Sequence, residues 1–159
     1  KTESTVPAMD NVDLSRLVYG EVLPFETMAY EQGLTLNSQL EEAIFVNGNS
    51  LQLKQLVSIL IDNALRHNEG GSEIMVLLKK ERGHGILSVI NSGKSIPEEQ
   101  KSQLFERFYR ADSARTDEGG HYGLGLAIAK NIAAAHKGTI QVRCYDGKVE
   151  FFVKIPLKK

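Results

Sequence analysis

The stretch Gly119-Gly120-His121-Tyr122-Gly123-Leu124-Gly125-Leu126-Ala127-Ile128-Ala129-Lys130 packs four glycines into seven residues, directly ahead of an apolar run. It reads as a loop that ends on the N-terminus of a helix over 124–137. Glycine lets a backbone come close to a ligand and adopt positive φ. A helix N-terminus offers unpaired N–H groups and the positive end of a dipole, and both suit a phosphate. Glycine-rich loops serve equally as linkers, so this stretch alone leaves two readings open. It lacks the Gly-Lys-Ser/Thr ending of a P-loop. The residues before it form a polar loop, not the strand that a dinucleotide fold requires.

Downstream, Gly138 is placed to cap that helix. Strands over 139–145 and 148–155 then close a hairpin around Asp146-Gly147. Upstream, residues 108–122 read as a long loop rich in charge and glycine. Pro97 starts a short helix through Phe105. Two strands, 72–80 and 85–91, are joined by Glu81-Arg82-Gly83-His84. A helix over 51–67, opened by Asn49 or Ser50, carries the stripe Leu53, Leu56, Val57, Leu60, Ile61 and Ala64. Alternation over 34–40 suggests a strand, with a second short candidate at 43–46. Asp13 caps a helix over 14–32, weakened locally by Gly20 and Pro24 and stopped at Gly33. Residues 1–11 are polar and read as a linker or frayed end, which leaves 12–159 as one domain. The sum is an α/β two-layer sandwich: a mixed, mostly antiparallel sheet with about three helices on one face.

A chain of 159 residues with 42% hydrophobic content can bury a real core. Its net charge of −1 gives no general attraction to polyanions, so neither nucleic acid nor a membrane surface is favoured. The single cysteine, Cys144, permits no internal disulfide and fits a reducing compartment. No run approaches membrane-spanning length and no signal peptide is visible. The first residue is Lys1, not Met, as in a fragment or processed chain.

Three further stretches carry chemistry. Asn63, Arg66 and His67 stand at i, i+3 and i+4, so they share one helix face. Facing a cleft, the Asn63 carbonyl oxygen suits Mg²⁺, which keeps waters and bridges to substrate phosphates. Arg66 suits a phosphate, and the His67 imidazole suits the side of a base. A solvated last turn with cations at the dipole end is the plainer alternative. Next, Val89-Ile90-Asn91-Ser92-Gly93-Lys94-Ser95-Ile96-Pro97 runs from strand to turn to helix. Asn91 can accept from an exocyclic amine and also donate, as an adenine edge requires. An ordinary strand-to-helix turn uses the same residue types. Last, Leu104-Phe105-Glu106-Arg107-Phe108-Tyr109-Arg110 alternates aromatics with arginines. Phe105 and Phe108 are spaced to pack on the core. Arg107 and Arg110 are spaced to reach outward, to phosphates or to solvent.

In order and spacing, the four stretches resemble the ATP-binding catalytic domain of sensor histidine kinases, within the superfamily that includes gyrase, Hsp90 and MutL. Residues 60–67 look like the N box, 91–97 the first glycine box, 104–110 the F box and 119–126 the second glycine box. The resemblance covers about 12–156. It implies that Asn63 is the Mg²⁺ ligand and that Arg66 replaces the usual phosphate-contacting lysine. His67 stands where an adenine-side tyrosine is common, and Asn91 replaces the usual adenine-reading aspartate. Ile96 and Leu124 then line the base pocket, and Gly123 and Gly125 approach the phosphates. Gly93, Tyr109, Gly120 and Leu126 complete the nucleotide contacts. Residues 108–122 become the ATP lid. Asn63, Arg66 and Arg110 would stabilise the transition state.

The departures carry information. Asn91 is an amide where a carboxylate is usual, and Ser95 replaces a glycine. Ile59 stands where the kinases commonly have asparagine and the ATPase branches a water-activating glutamate, which argues against efficient hydrolysis. Phosphoryl transfer needs mainly positioning and charge neutralisation, so a kinase remains open. None of His67, His84, His121 and His136 sits in the phosphoacceptor setting. The leading expectation is therefore transfer of the ATP γ-phosphoryl, with Mg²⁺, to a histidine on a separate dimerisation domain, then relay to a response regulator. This domain alone is expected to be monomeric and cytoplasmic, its parent a membrane-anchored homodimer. The alternatives are a nucleotide-binding or interaction module with weak or no kinase activity, motivated by Asn91 and Ser95, and an ATP-hydrolysing machine of the gyrase–MutL branch.

Overall fold

The computed structural model describes residues 8–106 and 123–159. Among these described residues, seven strands and four helices follow in the order β1 (Asp10–Asp13), α1 (Leu14–Glu31), β2 (Thr35–Leu40), β3 (Phe45–Gly48), α2 (Ser50–His67), β4 (Glu73–Glu81), β5 (His84–Ser92), α3 (Glu98–Lys101), α4 (Gly123–Ala135), β6 (Thr139–Tyr145) and β7 (Lys148–Pro156). A 3₁₀ turn, Ser102–Phe105, extends α3. The main sheet has the order β2-β4-β5-β7-β6; β2 and β4 are parallel and the other pairs antiparallel. A separate ribbon pairs β1 with β3.

The helices form as their sequences dictate. Asp13 caps α1 by accepting from the Arg16 N–H at 3.2 Å. Gly20 and Pro24 do not interrupt α1: both are exposed, and Val18, Val22 and Ala29 bury the opposite face. Gly33 stops it with φ +79°. Asn49 caps α2 by accepting from Gln52 N–H at 2.9 Å. Leu53, Leu56, Val57, Leu60, Ile61 and Ala64 enter the core, none more than 1% exposed.

Three expectations need correction. Asp10 and Asn11 do not fray but pair with Gly48 and Asn47 across β1–β3, a partnership too distant in sequence for local pattern to show. The second short strand lies at Phe45–Gly48, shifted toward its punctuating glycine. The left-handed residue after α4 is Lys137 (φ +61°), not Gly138. Gly138 is needed for a different reason: a Cβ there would lie 2.1 Å from the Lys154 carbonyl oxygen.

Both long hairpins turn as expected. Arg82-Gly83 and Asp146-Gly147 have positive φ at both central positions, the signature of a type I′ turn. One sheet face buries Leu87, Val89, Phe151 and Val153 beneath the helices. The other face carries a buried carboxylate, Glu150, which accepts from Arg143 at 3.0 and 3.2 Å and from Tyr145 at 2.7 Å. The Arg143 guanidinium also lies 4.3 Å from the centre of the Phe152 ring. Phe105 packs edge-on against Phe151 at 6.0 Å, as its spacing suggests; Phe108 and Arg107 lie outside the described residues.

Candidate nucleotide site

Helices α2 and α4 are fastened at two levels. The Asn49 N–H, at the start of α2, donates to His136 Nε2 at 3.0 Å. His136 follows the last turn of α4, and its other ring nitrogen contacts the Ile132 carbonyl at 2.8 Å. Nε2 therefore accepts, Nδ1 carries the proton, and the ring is neutral in this arrangement. At the other end, a Cβ on Gly125 would lie 3.5 Å from Ile59 Cγ2. The helices are thus antiparallel, and the first turn of α4 crosses α2 near Ile59. The first-turn N–H groups of Gly123, Leu124, Gly125 and Leu126 have no intrahelical acceptor. They open beside the stripe that Ile59, Asn63 and His67 form at i, i+4.

Asn63 is 8% exposed, and its buried Nδ2 has no hydrogen-bond partner. That nitrogen is a donor without an acceptor, so a ligand oxygen has something to gain by engaging it. Among the described residues no three His, Cys, Asp or Glu side chains cluster to hold a metal. A single hard oxygen from Asn63, completed by waters and phosphate oxygens, is the donor set Mg²⁺ accepts. Arg66 lies one turn further, exposed and paired with Asp62 at 3.1 Å. Such surface pairs contribute about 0–1 kcal/mol, so Arg66 is easily drawn to a phosphate.

The corner expected to take the base lies at the end of β5. Asn91 is 2% exposed. Its Nδ2 donates to the Ser92 carbonyl at 2.8 Å and to the His67 carbonyl at 3.4 Å. Two carbonyl partners fix which end of the amide is nitrogen. Oδ1 is buried and has no partner. The cross-strand neighbour is Val149, whose side chain has no donor to offer. An acceptor left so costs about 1–3 kcal/mol, a deficit that an incoming N–H removes. The end of β5 is tied to the end of α2: Ser92 N–H donates to Asn68 Oδ1 at 3.0 Å, and Glu69 N–H to the Ser92 carbonyl at 2.9 Å.

The remaining expected positions divide by chemistry. Ile96 and His67 are half-buried and Leu124 is 40% exposed, so each keeps surface to offer a base. A Cβ on Gly93 would meet only ordinary contacts near 3.5 Å, so the protein itself does not demand glycine there. Leu126 is 1% exposed and belongs to the core; its backbone N–H is what it can offer a phosphate. Tyr109, Arg110 and Gly120 lie outside the described residues. Sequence reasoning missed Cys144 and Val149 as neighbours of the site, and His136 as the clasp between α2 and α4 at the opposite end. No local signal marks them, because each arrives from a distant strand or helix.

The sandwich, its glycine-led helix and its two buried amides define one class of protein. The chain belongs to the family described as histidine kinase-, DNA gyrase B-, and HSP90-like ATPase, which matches residues 48–159. Within that family it is similar to sensor proteins. It is 38% identical to sensor protein DltS of Streptococcus agalactiae serotype III (strain NEM316), over 92% of this chain and 36% of DltS. It is 40% identical to sensor histidine kinase YkoH of Bacillus subtilis (strain 168), over 75% of this chain and 26% of YkoH. The chain therefore spans about a third or less of these relatives. The catalytic domain of histidine kinase ThkA superposes with a TM-score of 0.79 at 26% identity, covering 93% of this chain and 95% of that one. A mycobacterial sensor histidine kinase, MprB, gives 0.81 at 25% identity, covering 94% and 99%.

Proposed function

We propose that this chain is the Mg·ATP-binding catalytic domain of a two-component sensor histidine kinase. It passes the γ-phosphoryl group to a histidine on a separate dimerisation domain, for relay to a response regulator. The observation that carries the reading is the buried, unpartnered Oδ1 of Asn91 at the strand end. Adenine presents an exocyclic amine, the donor that this oxygen lacks. Gly123 and Gly125 lead the α4 N-terminus toward the phosphates. Asn63 Oδ1 would hold Mg²⁺, which when bound neutralises charge on the transferring phosphoryl group. Arg66 and Arg110 supply further positive charge to the phosphates.

Ile59 supports transfer over hydrolysis. It is half-buried against the first turn of α4, so the position holds an apolar side chain where a water-activating carboxylate would act. The described helices include none long and apolar enough to cross a membrane. We place this domain in the cytoplasm, monomeric on its own, within a homodimeric, membrane-anchored parent. The test is to mix the chain with Mg²⁺, γ-labelled ATP and the parent's dimerisation domain. The account expects acid-labile, base-stable phosphate on that domain. Nucleotide binding without such phosphate supports the second reading, a nucleotide-binding module with weak or no kinase activity, which Asn91 and Ser95 favour.

A further inference from the structure

The segment 93–97 between β5 and α3 has no regular secondary structure, yet its backbone is held from one side. Gly93 N–H donates to the Gly147 carbonyl at 3.0 Å. Ile96 N–H donates to Cys144 Sγ at 3.4 Å. Just before the segment, Lys148 Nζ donates to Ser92 Oγ at 3.5 Å. All three partners belong to the β6–β7 hairpin, around a type I′ turn that fixes their relative positions. The strand register sharpens the picture. Asn91 pairs with Val149, and Val149 pairs with Cys144, so the three stand in one row across β5, β7 and β6. Cys144 packs against the same core as Val149. The row thus begins at the residue that reads the base and ends at the residue that holds the segment over it.

From this arrangement we infer that the β6–β7 turn positions the nucleotide-base segment, with Cys144 as its key positioning residue. Ile96, half-buried and set to line the base, stands where its own N–H meets the Cys144 sulfur. A sulfur acceptor is weak, so this fastening sets the height of the segment without anchoring the fold. Removing it frees Ile96 while leaving the phosphate side, on α2 and α4, untouched. The inference rests on the nucleotide-binding reading above.

The experiment uses the whole chain with Cys144→Ala, which removes the acceptor, and Cys144→Ser, which keeps one. Titration calorimetry with Mg·ATP and with magnesium tripolyphosphate separates base from phosphate contacts. Cys144→Ala is expected to weaken ATP about 2- to 4-fold, the lower part of the range of one lost hydrogen bond. Tripolyphosphate binding stays unchanged, and Cys144→Ser recovers most of the ATP affinity. Amide hydrogen exchange at Ile96 is expected to quicken in Cys144→Ala and not in Cys144→Ser. Unchanged ATP affinity in Cys144→Ala, or equal weakening of both ligands, overturns the inference. If the wild-type chain binds no ATP, the proposed function falls, and unaltered Ile96 exchange in Cys144→Ala then separately refutes the fastening.

Discussion

The backbone amide of Asn49 donates to Nε2 of His136 at 3.0 Å, which fastens the start of α2 to the end of α4. His136 is 4% exposed, and a Cβ on Gly48 would lie 2.9 Å from its Cδ2, so the ring is tightly enclosed. His136→Ala leaves the Asn49 N–H and the Ile132 carbonyl without their partner and opens a cavity. The expected loss is about 2–4 kcal/mol. Urea denaturation measures it; a loss below about 0.5 kcal/mol, the level of a neutral surface change, contradicts the fastening.

Gly125→Ala separates packing from function. The added Cβ meets Ile59 at an ordinary 3.5 Å, so the fold tolerates it. Alanine gains up to about 1 kcal/mol over glycine inside a helix, less in a first turn. The melting temperature is therefore expected to hold or rise. If the phosphates approach this turn closely, ATP affinity nonetheless falls by about 10-fold or more, the loss of one charge-assisted hydrogen bond. A variant that is stable and binds ATP normally shows that the phosphates lie elsewhere.

The base contact proposed for Asn91 makes base selectivity its test. Its Nδ2 is committed to two carbonyls, so the amide cannot turn its donor toward the base without breaking both bonds. Guanine presents an acceptor where adenine presents the amine. ATP should therefore bind at least about 10-fold more tightly than GTP, the worth of one mismatched polar contact. Competition of the two nucleotides for a fluorescent ATP analogue measures the ratio. Equal affinity contradicts the assignment.

The far sheet face predicts two limbs of pH dependence. Burial pushes the Glu150 carboxyl up, but hydrogen bonds from Arg143, Ser88 and Tyr145 outweigh it and hold the group below its ordinary 4.5. A lowered folded value means that its stabilisation is complete above 4.5 and is lost as pH falls through the folded value. Glu150→Gln should flatten the acid limb of a stability–pH curve. Tyr145 is pushed up to about 12, first by burial and then by its bond to Glu150. Its stabilisation is present below 10 and is lost as pH rises through 12. The ultraviolet titration of the wild type minus that of Tyr145→Phe should show a phenol titrating near 12. A difference curve centred on 10 contradicts the contact.

Much of this was legible in the sequence because it is local. Apolar period and caps mark α1 and α2, and the Asp146-Gly147 dipeptide marks the closing hairpin. The resemblance of four ordered motifs supplied the layout proposed for the site. What stayed hidden is non-local. The β1 strand exists only because β3 faces it, and the contact of Gly125 with Ile59 depends on how α4 crosses α2. Gly138 looks like a helix cap but serves the close passage of the Lys154 carbonyl. Pro24 looks like a breaker, yet the buried face of α1 overrides it. Asn91 reads in sequence as a weakened aspartate. Only the two carbonyls around its nitrogen reveal an oriented acceptor.

The central claim is that Asn63 and Asn91 are two ends of one Mg·nucleotide site. Titrating the isotopically labelled chain with a non-hydrolysable ATP analogue, with and without Mg²⁺, tests it most directly. The account predicts saturable shifts at the side-chain amides of Asn63 and Asn91 and at the Gly93 and Gly125 backbones. The Asn63 response should require Mg²⁺, and in an Asn63→Ala chain that stays folded the Mg²⁺ dependence of the Gly93 and Gly125 shifts should vanish. Absence of any shift at millimolar analogue, or an Asn63 response indifferent to Mg²⁺, would contradict it.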